Sequence, residues 1–347
     1  MALDCGFEVT IGERQVEGIV LNQTGNVAVV ASSRLGGNIW DGELRLLSLV
    51  DGEGTTELVY GCAQQVAATL SDVTWVSDSK TLATSSDDGN VYVYSLQNLD
   101  DSIGTQELCL QSTYGDHDGA VTALSMDSPN RQLYSASVDG VVRIWDVAKP
   151  DRPVSSLQAN ISPMRAVGVL DVMVSPSTGL AVSAHQDNFV RFWDTRATGP
   201  QGKCVQSLPS ANHGSCLTLS NSIVENQLAC GYEDGTVCLV DVRKAGEFST
   251  SQARRSHAGA VQSVQLAPGP QGLLVFSGGQ DGRVVAEACS NNSDASKGQV
   301  ALGAEVLQLN KFHGDYVKSL AVRPSRQDQI LTGGWDGHVK LVQPKAQ

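Results

Sequence analysis

The decapeptide Ser137-Val-Asp-Gly-Val-Val-Arg-Ile-Trp-Asp146 decides the fold class of this chain. Its Asp139-Gly140 pair predicts a tight hairpin turn, because glycine readily adopts the positive φ that such a turn requires. After the turn, Val142 and Ile144 alternate with other residues, which is the pattern of a β-strand with one buried face. The stretch therefore predicts a β-hairpin that packs against a neighbouring sheet.

The same pattern occurs seven times along the chain. Each copy combines an Asp-Gly or Asp-Asn pair with a following run of alternating apolar residues. The turn aspartates predicted in this way are Asp41, Asp88, Asp139, Asp187, Asp234, Asp281 and Asp336. They are separated by 47, 51, 48, 47, 47 and 55 residues, slightly more than the period of about 40–45 residues that is typical of WD-repeat propeller blades. A single blade would leave its apolar face in water, so we expect seven blades to stack into a ring.

The two ends of the chain are predicted to meet in the last blade. The seventh repeat contains only three predicted strands, at residues 317–322, 329–332 and 339–343. The alternating segment 6–11, within a closing segment 1–12, can supply the missing outer strand. We therefore predict an all-β, seven-bladed WD40 β-propeller that occupies residues 1–347 as one domain and is closed by an N-terminal strand.

Histidines precede four of these aspartates by 21–24 residues, in the pairs His117–Asp139, His213–Asp234, His257–Asp281 and His313–Asp336. The third repeat contains all members of a structural tetrad like that of WD repeats, namely His117, Ser135, Asp139 and Trp145. Such a buried hydrogen-bond chain would stiffen the blade. The fourth repeat has Ser183, Asp187 and Trp193 but no histidine near Asn160, so that blade is either looser or uses Asn160 instead.

Composition excludes several classes of protein. The eight cysteines are scattered without a CxxC pair, which argues against a zinc site or a disulfide scaffold and predicts reduced thiols. The sequence has neither a signal peptide nor an apolar run of transmembrane length, so we expect a cytoplasmic and nuclear protein without a membrane partner. The net charge of −13, with no basic stretch longer than Arg254-Arg255, argues against direct nucleic-acid binding and favours basic protein partners.

Serine, histidine and aspartate all occur, so a catalytic centre has to be considered. The chain contains no GxSxG elbow, no P-loop and no HExxH motif, and its glycine pairs do not open a helix. The tetrad spacing accounts for the paired histidines. We therefore predict a non-catalytic binding scaffold that needs neither a cofactor nor a metal, with a hydrolase that uses a His-Asp pair as the alternative from another functional class.

The stretch from Ala31 to Leu46 resembles the first blade of the methylosome WD-repeat subunits. The matching positions are Ala31, Ser32, Ser33, Gly37, Trp40, Gly42, Leu44 and Leu46. Further matches occur in the second blade at Asp72-Val-Thr-Trp75 and in the last at Gly334-Trp-Asp336. The resemblance is weakest at residues 155–172.

This resemblance implies a partner and a stoichiometry. Methylosome WD-repeat subunits bind a type II (symmetric) protein arginine methyltransferase in a hetero-octamer with four copies of each chain. They help present Arg-rich substrates such as histone tails and Sm proteins. A tryptophan of their first blade enters a groove of the methyltransferase, and Trp40 matches that position.

The predicted partner-binding residues follow from this match and from the positions of the tryptophans. Trp40 and Trp335 each directly precede an Asp-Gly pair, where an exposed aromatic ring would be a suitable interface anchor. The predicted set is Trp40, Arg34, Leu35, Asn38, Ile39 and Trp335. The flanking Gly37 and Gly42 would allow this turn to enter a groove.

A second binding function remains open. Trp193-Asp-Thr-Arg196 and Val240-Asp-Val-Arg243 resemble the adaptor-binding motif of substrate receptors of cullin-4 ubiquitin ligases. Co-purification with a methyltransferase, co-purification with a ligase adaptor and intrinsic turnover would distinguish the three functions.

Overall fold

The predicted seven-bladed β-propeller is confirmed, and its ring is closed by the N-terminal strand in the last blade. The computed structural model describes residues 3–36, 39–52, 55–77, 80–98, 106–149, 151–158, 167–175, 179–195, 202–210, 212–222, 227–242, 249–269, 272–291 and 300–344. These residues form seven antiparallel sheets of four strands each.

Within each of the first six blades, the strands follow one another in chain order from the channel outwards. Blade 1 contains β2 (Gln15–Leu21), β3 (Val27–Gly36), β4 (Ile39–Asp51) and β5 (Thr56–Val66). Blade 2 contains β6 (Leu70–Ser77), β7 (Thr81–Ser86), β8 (Asn90–Asn98) and β9 (Gln106–Gly115). Blade 3 contains β10 (Val121–Asp127), β11 (Gln132–Ser137), β12 (Val141–Asp146) and β13 (Ser155–Gln158). Blade 4 contains β14 (Val169–Ser175), β15 (Leu180–His185), β16 (Phe189–Asp194) and β17 (Lys203–Pro209).

The last three blades complete the ring. Blade 5 contains β18 (Cys216–Ser222), β19 (Gln227–Tyr232), β20 (Thr236–Asp241) and β21 (Ser249–Arg255). Blade 6 contains β22 (Val261–Gly269), β23 (Gly272–Gly279), β24 (Val284–Asn291) and β25 (Val300–Leu309). Blade 7 contains β26 (Val317–Val322), β27 (Ile330–Gly334), β28 (His338–Pro344) and, outermost, β1 (Leu3–Thr10).

The hydrophobic core is divided among the blade interfaces. Seven clusters of buried side chains each join two adjacent blades, as expected for sheets that bury one face on the next sheet. The cluster between blades 7 and 1 includes Val9 of β1, Leu341 of β28 and Val16 of β2. The closing strand therefore adds packing as well as backbone hydrogen bonds.

Six of the predicted turns have the expected backbone conformation. The residue after the aspartate has a positive φ in blades 2 to 7, and Asn188 (φ 65°) replaces glycine in blade 4. Blade 1 contradicts the prediction, because Asp41 and Gly42 lie within β4, paired with Arg34 and Ser33. Gly42 is instead needed for close packing on blade 2, since a Cβ there would lie 2.6 Å from the carbonyl oxygen of Ala68.

The innermost strands are joined around the channel by side chains that accept backbone N–H groups. The N–H of Ile19 in blade 1 donates to Ser319 Oγ of blade 7 at 2.8 Å. Two equivalent bonds link blade 6 to Thr218 of blade 5 and blade 7 to Ser263 of blade 6. Each inner strand has a β-bulge, and the hydrogen-bonded N–H lies just beyond it.

Blades 1 and 3 carry Gly18 and Ala123 at the accepting position, so they have no side-chain oxygen to offer. Asp72 of blade 2 compensates by accepting two N–H groups, from Val73 at 2.8 Å and from Leu124 at 2.9 Å. Asp171 of blade 4 does the same for Val172 and Leu219, at 2.7 and 2.6 Å. Together the serine, threonine and aspartate side chains accept hydrogen bonds from all seven equivalent backbone N–H groups around the channel.

We expect removal of residues 1–12 to destabilise the propeller. The deletion removes Val9 and Ile11 from the core and exposes the edge of β28, at a cost of about 3–6 kcal/mol for two large apolar side chains. Thermal and denaturant unfolding would measure the loss. Deletion of residues 1–2, which precede β1, is the matched control. An unchanged melting temperature in a monodisperse 1–12 deletion would contradict closure by this strand.

We also expect stability to depend on pH through the channel aspartates. Burial raises the pKa of Asp72 to about 6, and burial together with the charge of Asp72 raises the pKa of Asp171 to about 8. The folded state therefore holds protons that the unfolded chain releases near pH 4, so this contribution to stability declines as the pH rises towards 8.

The measurement is the melting temperature of wild type and Asp171→Asn between pH 5 and 9, with exposed Asp151→Asn as control. Asp171→Asn should flatten the decline, although its baseline stability falls with the loss of an acceptor. Equal slopes for wild type and Asp171→Asn would show that Asp171 does not cause the pH dependence.

Candidate partner-binding surface

The hairpin of β3 and β4 in blade 1 is longer than the equivalent hairpin of blade 3. The blade 3 ladder ends at the pair Ala136↔Val142, whereas blade 1 continues past the equivalent pair Ala31↔Leu44. Five further pairs follow, ending with Gly36↔Ile39. Blade 1 therefore extends a β-ribbon beyond the ladder length seen in blade 3.

An apolar pair is exposed near the end of this ribbon. Trp40 and Leu35 are cross-strand partners, with 63% and 49% of their surfaces accessible. Burying this pair against a partner would be favourable, because the two apolar side chains are exposed to water in the isolated chain. Of the other predicted residues, Ile39 pairs with Gly36 through the backbone, and Asn38 lies outside the described residues.

The base of the ribbon is fixed by an ion network centred on Asp41. Arg14, from the segment that enters blade 1, contacts Asp41 Oδ1 at 2.9 Å and donates to Gln65 Oε1 at 2.9 Å. Arg34 reaches the other carboxylate oxygen of Asp41 at 3.3 Å. Because Arg14 is mostly buried, this network positions the ribbon against the body of the propeller. The exposed apolar pair thus projects from a supported base.

Trp335 has a different environment from Trp40. Its indole is half-buried and packs on Tyr316, with ring centroids 5.1 Å apart. It lines a cleft of about 460 Å³ together with Arg34 and Leu35 of the ribbon. The structure therefore places Trp335 in the same sector as Trp40, but as a wall of a cleft and not as the projecting anchor that was predicted.

The predicted glycine role at the ribbon is corrected in part. Gly42 contacts blade 2 closely and cannot serve to open the ribbon tip, while Gly37 lies outside the described residues. Sequence reasoning identified Trp40 from its Asp-Gly neighbour. The actual reason for its exposure is the additional length of the hairpin.

The tetrad residues of blade 3 form one hydrogen-bond chain. His117 contacts Asp139 through Nδ1 at 2.9 Å and Ser135 through Nε2 at 2.8 Å. The indole N–H of Trp145 donates to the same serine at 2.8 Å. Burial alone would raise the pKa of Asp139, but its hydrogen bond and charge interaction with His117 hold it well below the usual range. The chain joins the loop, the second strand and the third strand of the blade.

Blade 4 contains a histidine interaction that the spacing did not reveal. His185, at the end of β15, contacts Ser183 Oγ through Nε2 at 2.7 Å. Trp193 donates to that serine at 2.8 Å, as Trp145 does in blade 3. Burial, followed by the nearby Arg191, lowers the pKa of His185 to about 4. The sequence feature that could have revealed this interaction is His185 itself, two residues before Asp187. Asn160, the predicted substitute, lies outside the described residues.

The other predicted His–Asp pairs are also in contact. Nδ1 lies 2.9–3.0 Å from an aspartate oxygen in the pairs His213–Asp234, His257–Asp281 and His313–Asp336. His257 and His313 are buried and also bond a hydroxyl group on the second strand of their blades. His213, His257 and His313 are therefore engaged in hydrogen bonds within their own blades.

Two further features bear on the remaining hypotheses. No group of three or more potential metal ligands, and no helix able to span a membrane, occurs in the part of the chain that the structure describes. Arg196 and Arg243, which complete the two motifs like those of ligase receptors, lie outside the described residues.

Comparisons with known proteins agree with this architecture. The family model "WD domain, G-beta repeat" matches residues 60–95, 108–146 and 305–342. Methylosome protein WDR77 of Xenopus laevis is 24% identical over 93% of this chain and 87% of its own length. Ribosome biogenesis protein ytm1 of Pyrenophora tritici-repentis is also 24% identical, over 78% of this chain and 64% of that protein.

The fold itself matches a solved structure closely. A chain from the crystal structure of the mitotic checkpoint complex superposes with a TM-score of 0.74, covering 99% of this chain and 92% of that one at 16% identity. This match concerns the fold alone. The chain is a seven-bladed WD40-repeat propeller, a scaffold for protein–protein interaction, and it resembles the methylosome WD-repeat protein along nearly its whole length.

Proposed function

We propose that this chain is the non-catalytic scaffold subunit of a complex with a type II protein arginine methyltransferase. The observation that carries the proposal is the exposed Leu35–Trp40 pair on the lengthened ribbon of blade 1. The resemblance to a methylosome protein supports this assignment of the partner. The methyltransferase would supply the catalytic groups, and the propeller would supply a rigid docking surface.

The ribbon suits a groove on the partner. Trp40 presents a large, rigid apolar ring with few rotatable bonds, so docking immobilises little side-chain freedom. The ion network at Asp41 holds the base of the ribbon before the partner arrives, which reduces the ordering cost of association. By analogy with its relatives, the assembly is proposed to be a hetero-octamer with four copies of each chain.

The acidic charge of the propeller fits the proposed substrates. At a net charge of −13 the chain would attract Arg-rich segments, such as histone tails and Sm proteins, towards the bound enzyme. These substrates belong to the cytoplasm and nucleus, where we propose that the complex acts. The attraction would be long-ranged and weak, because most of the charges are separated and exposed to salt.

The ribosome biogenesis relative makes a second kind of assembly worth testing. Its identity is the same as that of the methylosome protein, and a second ribosome biogenesis protein, YTM1 of Phaeosphaeria nodorum, is 25% identical over 93% of this chain. Affinity purification followed by mass spectrometry distinguishes the two. Recovery of ribosome assembly factors without a methyltransferase would contradict the proposal.

We predict that Trp40→Ala weakens binding of the methyltransferase at least roughly thirtyfold, since truncation of a central interface tryptophan costs about 2 kcal/mol or more. The propeller should remain folded, because the indole is mostly exposed. Affinity and melting temperature are measured on the same preparation. If Trp40→Ala melts early but binds normally at low temperature, the indole is a packing residue and not an anchor.

Two controls separate docking from stability. Val138→Ala alters an exposed residue that directly precedes Asp139-Gly140 in blade 3, so it should change neither binding nor melting. Trp145→Ala removes a buried core tryptophan and should destabilise the fold by about 3–5 kcal/mol. Binding by that variant should be retained at temperatures where it is folded.

We predict that Arg-rich peptides bind the isolated propeller weakly and lose affinity as salt rises. The screening length falls below about 8 Å above physiological ionic strength, which removes the long-range attraction. Binding of a histone-tail peptide is titrated at several salt concentrations, with an Arg→Gln version of the peptide as control. Affinity that does not change between low and high salt would rule out electrostatic recruitment.

A further inference from the structure

The cleft beside the ribbon lies where blade 7 meets blade 1. Its walls come from three segments, residues 12–15, 34–36 and 335–337. Leu35 belongs both to this cleft and to the exposed apolar pair, so the two surfaces are continuous. A partner seated on Trp40 would therefore also meet the cleft.

Three buried polar atoms of residues that line the cleft make no hydrogen bond of standard geometry among the described residues, namely Gln15 Oε1, Arg34 Nε and Trp335 Nε1. The indole N–H of Trp335 interacts with the Glu17 carboxylate. The other two atoms lie on the neighbouring strands β2 and β3, Gln15 Oε1 as an acceptor and Arg34 Nε as a donor. Leaving such atoms buried and unpaired is costly, and native proteins seldom do so without a reason. One acceptor and one donor in a single cleft complement a main-chain amide, which offers an N–H and a C=O.

The charges of the lining residues also favour a neutral ligand. Arg14 and Arg34 are balanced by Glu13 and Asp336. Arg14 is bound to Asp41, while Asp336 accepts from the N–H of Gly314 and contacts His313. The cleft therefore offers no excess charge of either sign that would select a phosphate or a cation.

We propose that this cleft is the polar half of the docking surface and receives an extended main-chain segment of the methyltransferase. A carbonyl of that segment accepts from Arg34 Nε–H, and a neighbouring N–H donates to Gln15 Oε1. Trp40 supplies apolar anchoring, and the cleft fixes the register of the partner chain. This inference rests on the proposed function, because it takes the methyltransferase as the partner.

The test uses the full-length propeller and the intact methyltransferase. Gln15→Met removes the acceptor at similar size, and Arg34→Lys keeps a positive charge opposite Asp41 but removes the guanidinium donor. Each should weaken binding about five- to tenfold, the effect of losing one buried hydrogen bond and leaving its partner unpaired. The matched controls are Gln186→Met and Arg152→Lys, at exposed positions of the described chain outside the cleft.

Melting temperatures of all variants establish that they are folded, and hydrogen exchange on the complex identifies the protected partner amides. Loss of affinity in both cleft variants but not in the controls, with protection of a partner segment, supports the proposal. Normal affinity in both cleft variants while Trp40→Ala weakens binding overturns the cleft assignment alone. Failure of the wild-type propeller to bind the methyltransferase overturns the proposed function and this inference with it.

Discussion

Ring closure around the channel is the constraint on which the other features of this propeller depend. Seven inner strands converge there, and each presents an N–H group that must be paired because it is shielded from water. Serine or threonine serves at three blade junctions, while Asp72 and Asp171 together serve the other four N–H groups. These aspartates follow blades with glycine or alanine at the accepting position. An aspartate in one blade is thus required because the residue at the equivalent position of the preceding blade, Gly18 or Ala123, has no side-chain acceptor.

Periodic and local features of the sequence allowed most of the fold to be predicted. The turn residues and the His–Asp spacing recur in several blades, so the assignment does not depend on any single match. Asp72 and Asp171 could not be predicted in this way, because each is needed only where the preceding blade has no side-chain oxygen to accept the N–H group. His185 was missed for a related reason, since it reaches Ser183 from the same strand and not from the loop before the blade.

Blade 1 shows that an Asp-Gly pair can meet either of two physical requirements, a turn with positive φ or close packing between blades. An Asp-Gly pair predicts a turn because glycine tolerates positive φ, but Gly42 is required by close contact with Ala68 and Leu70 of the next blade. Asp41 keeps ionic partners, although these are Arg14 and Arg34 and not a histidine. The sequence therefore identified Trp40 as exceptional without indicating the length of the ribbon that exposes it.

The departure of blade 1 from the common pattern is informative because the other blades are so regular. Sequences depart from locally consistent rules mainly where function compensates for the loss. Here the chain lengthens a hairpin, exposes a tryptophan and leaves Gln15 Oε1 and Arg34 Nε without partners among the described residues, all within one sector. A charged network at Asp41 supports this sector from below and positions the strands that carry the exposed groups. Exposed groups on a base that ion pairs already position favour a surface that is shaped for a partner before binding.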